Sequence, residues 1–294
     1  MALETSKVKL PLSVVTTLIN KAKDTSTIAA LSTAQPVKFS DQNHLIFTPS
    51  SEAEVVAEGA KKGSYEQKLS IVEGKRFKVV TTTRVSDELK WADEDNQLEI
   101  ISNIQADQNA ALGRALDYVV YHAINPKAGT ALGGFTSLVS QANEVTATGD
   151  GVADIDAMTD AIIDYNINGF ALSRKFASDL RKLRVPSTGQ RLYPEIPLSL
   201  NVGNFDGIAA ATSGTVDGRL ATEKTKVLGI MGDFSLIHWG MVRDIYAEII
   251  EYGDPDQSGI DLKANNQVAY RTEAVFAYAI LDPKGFAVLK STAA

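Results

Sequence analysis

The stretch from Glu54 to Ser86 constrains the fold more than any other part of the chain. From Tyr65 to Ile71, and again from Arg76 to Val85, the residues are β-branched, aromatic or charged in loose alternation, on either side of the turn signal Glu73-Gly74-Lys75. The pattern predicts a long two-stranded ribbon with no apolar face of its own. Arms of about seven to ten residues at about 3.3 Å each reach roughly 25 to 35 Å. Such a ribbon is marginal in water by itself, so two outcomes stand open. Either another surface completes it, above all a neighbouring copy of the chain, or it is an ordinary edge hairpin folded back on its own domain.

Nothing about size forces association. With 294 residues the chain can form one large or two modest domains and bury a sizeable core. Its net charge of -7 argues against coating nucleic acid by phosphate neutralisation, which needs a basic face, so any such contact is local and weak. The absence of cysteine excludes disulfides, thiolate metal sites and cysteine nucleophiles. The sequence has no apolar run of membrane-spanning length, and Met1 to Asp24 lacks the pattern of a signal peptide. A soluble chain made in the cytoplasm is the expectation.

Residues 1–34 carry few large apolar side chains, and Pro11 interrupts them early, so they read as an extended arm, with a short helix possible over Leu12 to Ala22. Lys38 to Thr48 reads as a strand ending at Pro49. After the ribbon, Asp93 to Asn96 supply acid and capping groups ahead of Ile101, Ile104, Leu112, Ala115, Val119 and Ala123, which fall at helical spacing until Asn125-Pro126. About 27 residues at 1.5 Å each make a rod of roughly 40 Å. Gln105, Asp107, Gln108, Arg114 and Asp117 occupy its other face, so one buried side is expected, as in a spine rather than a core helix. Further on, helices are expected at Ile155 to Tyr165 and Lys175 to Leu183, and strands at Gly169 to Ser173, Val227 to His238, Ile245 to Glu251, Val268 to Leu281 and Gly285 to Lys290.

Candidate chemistry is sparse. His44, His122 and His238 lie far apart and none sits in a metal-type pair. There is no Gly-x-Ser-x-Gly elbow and no phosphate-cradling loop, so triad and phosphate chemistry have no starting point. Asp254, Asp256 and Ser258 with Gly259 resemble the first half of a calcium loop, but position twelve is Asn265 and strands flank the segment, which favours a polar turn between strands. Arg174, Lys175, Arg181, Lys182 and Arg184 form the densest basic cluster, read as a solvated face or a contact with an acidic neighbour before nucleic acid.

The order of features from Val37 to Lys290 resembles the tailed-bacteriophage major capsid proteins of the Hong Kong 97 type. The residues that carry the likeness are Ala57-Glu58-Gly59-Ala60-Lys61-Lys62 opening the extended segment, Val85 to Leu89 before the long helix, and Gly133-Gly134-Phe135 after it. Ala171 to Phe176 on to Leu192-Tyr193, Gly229 to Phe234, and Asn266-Gln267-Val268 on to Asp282-Pro283-Lys284 continue it. The resemblance implies an α+β capsid fold: an N-terminal arm (residues 1–34), a peripheral-domain strand (35–53), an extended β-hairpin loop (54–86), a peripheral domain with a long spine helix (87–152) and an axial domain (153–243). Peripheral strands (244–272) and C-terminal strands returning to the axial domain (273–294) complete it.

Such subunits form hexamers and pentamers of an icosahedral shell around double-stranded DNA, which would touch this acidic chain only weakly. No scaffolding segment precedes the arm, so a separate scaffolding protein, besides a portal, is expected as partner, unless the sequence is a processed form. An encapsulin-like nanocompartment, the same fold holding cargo enzymes, is the alternative. No cofactor, metal or membrane is implied, and no enzymatic turnover beyond one possible self-reaction. Some members join subunits by an isopeptide bond, and by resemblance its lysine falls on Lys62, its asparagine on Asn266 and its proton acceptor on Glu273. The amine would attack the carboxamide carbon as ammonia leaves. Asn266 and Glu273 stand an odd number apart in a strand, so a bend or bulge has to bring them together.

Overall fold

The computed structural model describes residues 25–36, 43–48, 52–64, 68–96 and 99–292. In chain order the elements are α1 (Thr27–Leu31), β1 (Asn43–Thr48), β2 (Lys68–Glu73), β3 (Lys75–Ser86), α2 (Asp87–Asn96), α3 (Ile100–His122), α4 (Leu138–Gln141), β4 (Asn143–Thr146), α5 (Gly151–Ala161), β5 (Gly169–Leu172) and α6 (Arg174–Lys182). They continue with β6 (Asn204–Phe205), β7 (Ile208–Thr212), β8 (Val227–Gly232), β9 (Ile237–Ile250), β10 (Gln267–Ile280) and β11 (Phe286–Lys290). Leu12 to Ala22, Lys38 to Gln42 and Tyr65 to Gln67, for which helix or strand was expected, lie outside the described residues.

Among the described residues the strands form three sheets: the ribbon β1-β2, a three-stranded sheet in the order β3-β10-β9, and a six-stranded sheet in the order β4-β11-β8-β5-β7-β6. β10 alternates as the sequence requires: Tyr270, Thr272, Ala274 and Phe276 are buried, while Arg271, Glu273 and Val275 between them are half-buried. Strands of the large sheet are apolar on both faces because both are covered. Phe286 and Val288 join one core with Ile230, Phe276 and the last turns of α3. Ala287 and Leu289 join a second with Phe170, Met231 and the inner faces of α5 and α6.

The ribbon is not the one the sequence pattern suggested. β2 and β3 follow each other across Gly74 without pairing: β2 pairs antiparallel with β1, from Asn43↔Glu73 to Thr48↔Lys68, whereas β3 pairs with β10, from Ser86↔Gln267 to Lys75↔Tyr278. Alternation tells a strand which face to bury, not which strand to lie beside. The second expected arm is therefore an edge strand of the body.

The long helix also departs from expectation. Asp93 caps α3 through the amides of Ile100 (2.8 Å) and Ile101 (3.2 Å), and Glu99 in the left-handed region (φ 56°) separates it from α2. The helix has 23 residues, roughly 35 Å at 1.5 Å each. Gln108 and Asp117, placed by pattern on the open face, are buried, and every residue from Ala115 to Ile124 is buried. The first half of α3 is the expected spine; its second half is core. Within the described part of the expected arm, Ile28 of α1 is fully buried in the main core.

Candidate assembly interface

The ribbon that does form carries the apolar face that the expected one lacked. Leu45 lies opposite Ile71 and Phe47 opposite Leu69, which puts all four side chains on one face. They are 59%, 60%, 66% and 54% exposed in that order. A contiguous apolar stripe of this size on a two-stranded ribbon marks a surface that binds something. At the ribbon's base the imidazoles of His44 and His238 meet edge to face with centroids 5.2 Å apart. Burial, and then His44, hold the His238 imidazole below its usual pKa.

The polar turn at Tyr252–Asn266 is held from inside the body. Arg84 of β3, nearly fully buried, donates from Nε to both carboxylate oxygens of Asp256 (3.0 Å each), from Nη1 to the Ile260 carbonyl (2.9 Å), and from Nη2 to Asp254 and Asp256. The guanidinium thus takes the acidic oxygens that a calcium ion would need, and its hydrogen bond to Asp256 holds that carboxyl well below the ordinary range. Among the described residues, no group of three or more His, Asp or Glu could hold a metal ion.

Asp117 fixes the arm. Its carboxylate accepts from Ser26 Oγ (2.6 Å), the amides of Thr27 (2.8 Å) and Ile28 (3.2 Å), Thr27 Oγ1 (3.1 Å) and Thr215 Oγ1 (2.5 Å). Complete burial pushes its pKa up although the hydrogen bonds from Ser26, Thr215 and the amides of Thr27 and Ile28 work the other way. Next along the helix, His122 donates from Nε2 to the Thr215 carbonyl (3.0 Å) and accepts at Nδ1 from Thr225 Oγ1 (3.2 Å). Burial depresses its pKa to about 4. Sequence reading missed Asp117 because its donors sit some 90 positions away; a lone acid amid Leu116, Tyr118 and Val119 was the available signal.

The three residues assigned to the cross-link are not brought together within one copy. Lys62 is exposed in the loop beyond the ribbon, and Asn266 is exposed with a left-handed backbone (φ 50°) just before β10. Glu273 lies along β10 with its carboxylate 2.6 Å from Lys78 Nζ. Seven positions at about 3.3 Å separate Asn266 from Glu273 by roughly 23 Å. The expected bend is not there: pairing with β3 stays in register from Gln267 to Glu273, and the irregularity against β9 lies beyond Glu273. In the basic cluster, exposed Lys175 and Lys182 both hold Asp179, at 2.9 and 2.8 Å, while Arg174 and Arg181 are half-buried.

With this geometry in hand, the comparisons decide the family. The model of the phage capsid family matches residues 8–291. The chain belongs to the phage capsid family. A solved chain from Mycobacterium phage Ogopogo is 36% identical and superposes with a TM-score of 0.85 over 99% of this chain and 100% of its own. One from Gordonia phage Cozz is 28% identical, with a TM-score of 0.81 over 97% and 92%. A third, described as the capsid of an empty GTA particle, is 14% identical with a TM-score of 0.63 over 98% and 97%, and shows the fold alone. No curated protein matches the chain significantly.

This phage capsid protein therefore has the α+β Hong Kong 97-type fold and is a structural subunit of a viral shell, found in the virion, rather than an enzyme. The nanocompartment alternative is not favoured. No helix among the described residues is long and apolar enough to cross a membrane.

Proposed function

We propose that the subunit assembles as hexamers and pentamers in the host cytoplasm, closing an icosahedral shell around double-stranded DNA. The observation that carries this reading is the ribbon: its two cross-strand pairs put four apolar side chains, each more than half exposed, together on one face. Many copies, each lending a ribbon to a neighbour, turn weak symmetric contacts into a stable container. The ribbon, the body around α3 and β10, and the part built on the six-stranded sheet then serve as extended loop, peripheral domain and axial domain. A separate scaffolding protein sets the curvature and a portal admits the genome, which the acidic chain touches weakly. Electron microscopy of particles purified with and without nuclease treatment tests this. Closed particles with six- and five-fold rings and protected DNA are expected; open sheets or particles without DNA contradict it.

The covalent link belongs to the same reading. Lys62 of one copy attacks the Asn266 carboxamide of another and releases ammonia, and the spacing along β10 then requires Glu273 to come from a different copy than Asn266. The exposure of Lys62 and Asn266 supports this, and any apolar setting for the amine has to come from neighbours. Denaturing electrophoresis of assembled particles should show multiples of the monomer mass that Lys62→Arg removes. A single monomer band ends the proposal.

A further inference from the structure

We propose that the basic hairpin after α6 docks on the acidic outer face of α5 in the next copy of this chain. The inference rests on the shell reading and names a contact by which neighbouring copies hold each other in a ring. Arg184 and Arg191 lie directly opposite each other in an antiparallel bridge. The turn between them is closed by the Val185 amide donating to the Gln190 carbonyl (2.9 Å) and the Gly189 amide to the Val185 carbonyl (2.8 Å). Both arginines are exposed, and like charges facing each other across a strand pair repel. Arg184 Nη1 donates to the carbonyls of Arg181 (2.9 Å) and Leu183 (3.1 Å), which holds the hairpin to the end of α6. Arg181 itself is half-buried, and among the described residues its buried Nε has no hydrogen-bond partner.

The face of α5 is the complement. Asp156 and Asp160 stand four residues apart on α5, and Asp164 follows four residues later, just beyond the helix; all three are exposed. Carboxylates at this spacing repel along a helix. Among the described residues, neither these three acids nor Arg181, Arg184 and Arg191 make an ion pair. One chain thus carries two patches of opposite sign, each repelled by its own charges. Their spacings agree: four helical residues advance about 6 Å, and residues opposed in an antiparallel pair have Cα atoms about 5 Å apart, so two guanidiniums can meet two carboxylates. Each patch also holds an exposed apolar side chain for the contact to cover, Leu192 (38%) beside Arg191 and Ile163 (72%) beside Asp164. A ring repeats one heterologous contact, in which a patch of each copy meets a different patch of the next, and opposite charge there fixes the register. Packaged DNA fits the hairpin less well. Phosphate on the arginines would leave the α5 carboxylates repelling one another in a chain of net charge -7.

Charge reversal tests the pairing. Asp160→Arg and Arg184→Asp, each at an exposed position, should each raise the subunit concentration needed for closure about tenfold or more, read by sedimentation velocity. The double variant Asp160→Arg/Arg184→Asp should recover most of that loss, because every contact then pairs the exchanged charges. Single reversals that close like the wild type, or a double variant no better than the singles, overturn the inference and leave the shell reading standing. Arg184→Asp particles that close at the wild-type concentration but hold less DNA assign the hairpin to nucleic acid and overturn it too. If a reversal does not fold, Arg184→Lys decides. Particles assembled from isotope-labelled and unlabelled Arg184→Lys chains are treated with a carbodiimide. Amides joining position 184 to Asp156, Asp160 or Asp164 should then link labelled to unlabelled chains in mass spectra, and closed particles without them overturn the inference. A wild-type chain that never closes overturns the shell reading and this inference with it.

Discussion

Phe286 to Lys290 and Asn43 to Thr48 are both short strands rich in large apolar residues, yet Phe286, Val288 and Leu289 are fully buried while Leu45 and Phe47 are more than half exposed. The first strand lies between β4 and β8 with helices over one face and α3 beyond the other. Among the described residues the second has one partner strand, β2, and its apolar face is exposed. Composition does not distinguish them; the number of neighbours does. The body closes its main cores within one chain, whereas the ribbon leaves its apolar face open. Substitutions in these cores should then be read in the stability of the isolated subunit, and those in the ribbon in assembly alone.

The sharpest break in the body is expected at Gly232. A Cβ there would stand 2.3 Å from the Gly285 carbonyl oxygen and 2.9 Å from Phe286 Cα, and both contacts are backbone. Gly232→Val should abolish soluble, folded subunit, seen as loss of soluble yield and of the cooperative unfolding transition. Asp117→Ala follows. It strands the donors of Ser26, Thr27, Ile28 and Thr215 and should cost about 4 kcal/mol. Limited proteolysis should then cut first within residues 25–32.

A smaller effect is expected from pH. His122 has a folded pKa of about 4, below its usual 6.5, so between these values the unfolded chain binds more protons than the folded one. The stability that neutral His122 provides is complete above pH 6.5 and is lost as pH falls towards 4, by roughly 3 kcal/mol. The raised pKa of Asp117 works in the opposite sense, its protonation on acidification relieving part of that loss. Urea titrations at pH 7 and pH 4.5 check the sign, and His122→Gln should flatten the difference.

The same contrast explains what the sequence disclosed. β10, the capping of α3 by Asp93 and the stop near Asn125-Pro126 were legible because period and capping are local. The pairing of β3 was not: Arg76 to Val85 alternates equally well against β2 or β10, and only the tertiary fold chooses. Gln108 and Asp117 were misplaced for the same reason. Their polarity suggests water, but Gln108 bridges Thr83, Tyr270 and Thr272, and Asp117 binds a segment about 90 positions earlier. The stripe on the ribbon went unseen because the wrong pair of strands was matched. Of the proposed cross-link, sequence likeness supplied three residues but not the roughly 23 Å that parts Asn266 from Glu273.

The smallest expected change in subunit stability is at the ribbon itself, where replacing exposed side chains should shift unfolding by about 0.5 kcal/mol or less. Sedimentation velocity of Phe47→Asp/Leu69→Asp beside the wild-type chain, under conditions where the wild type closes, therefore tests the central claim most directly. A variant that unfolds like the wild type yet stays an unassembled subunit is the predicted result. A variant that closes into particles as readily as the wild type would contradict it.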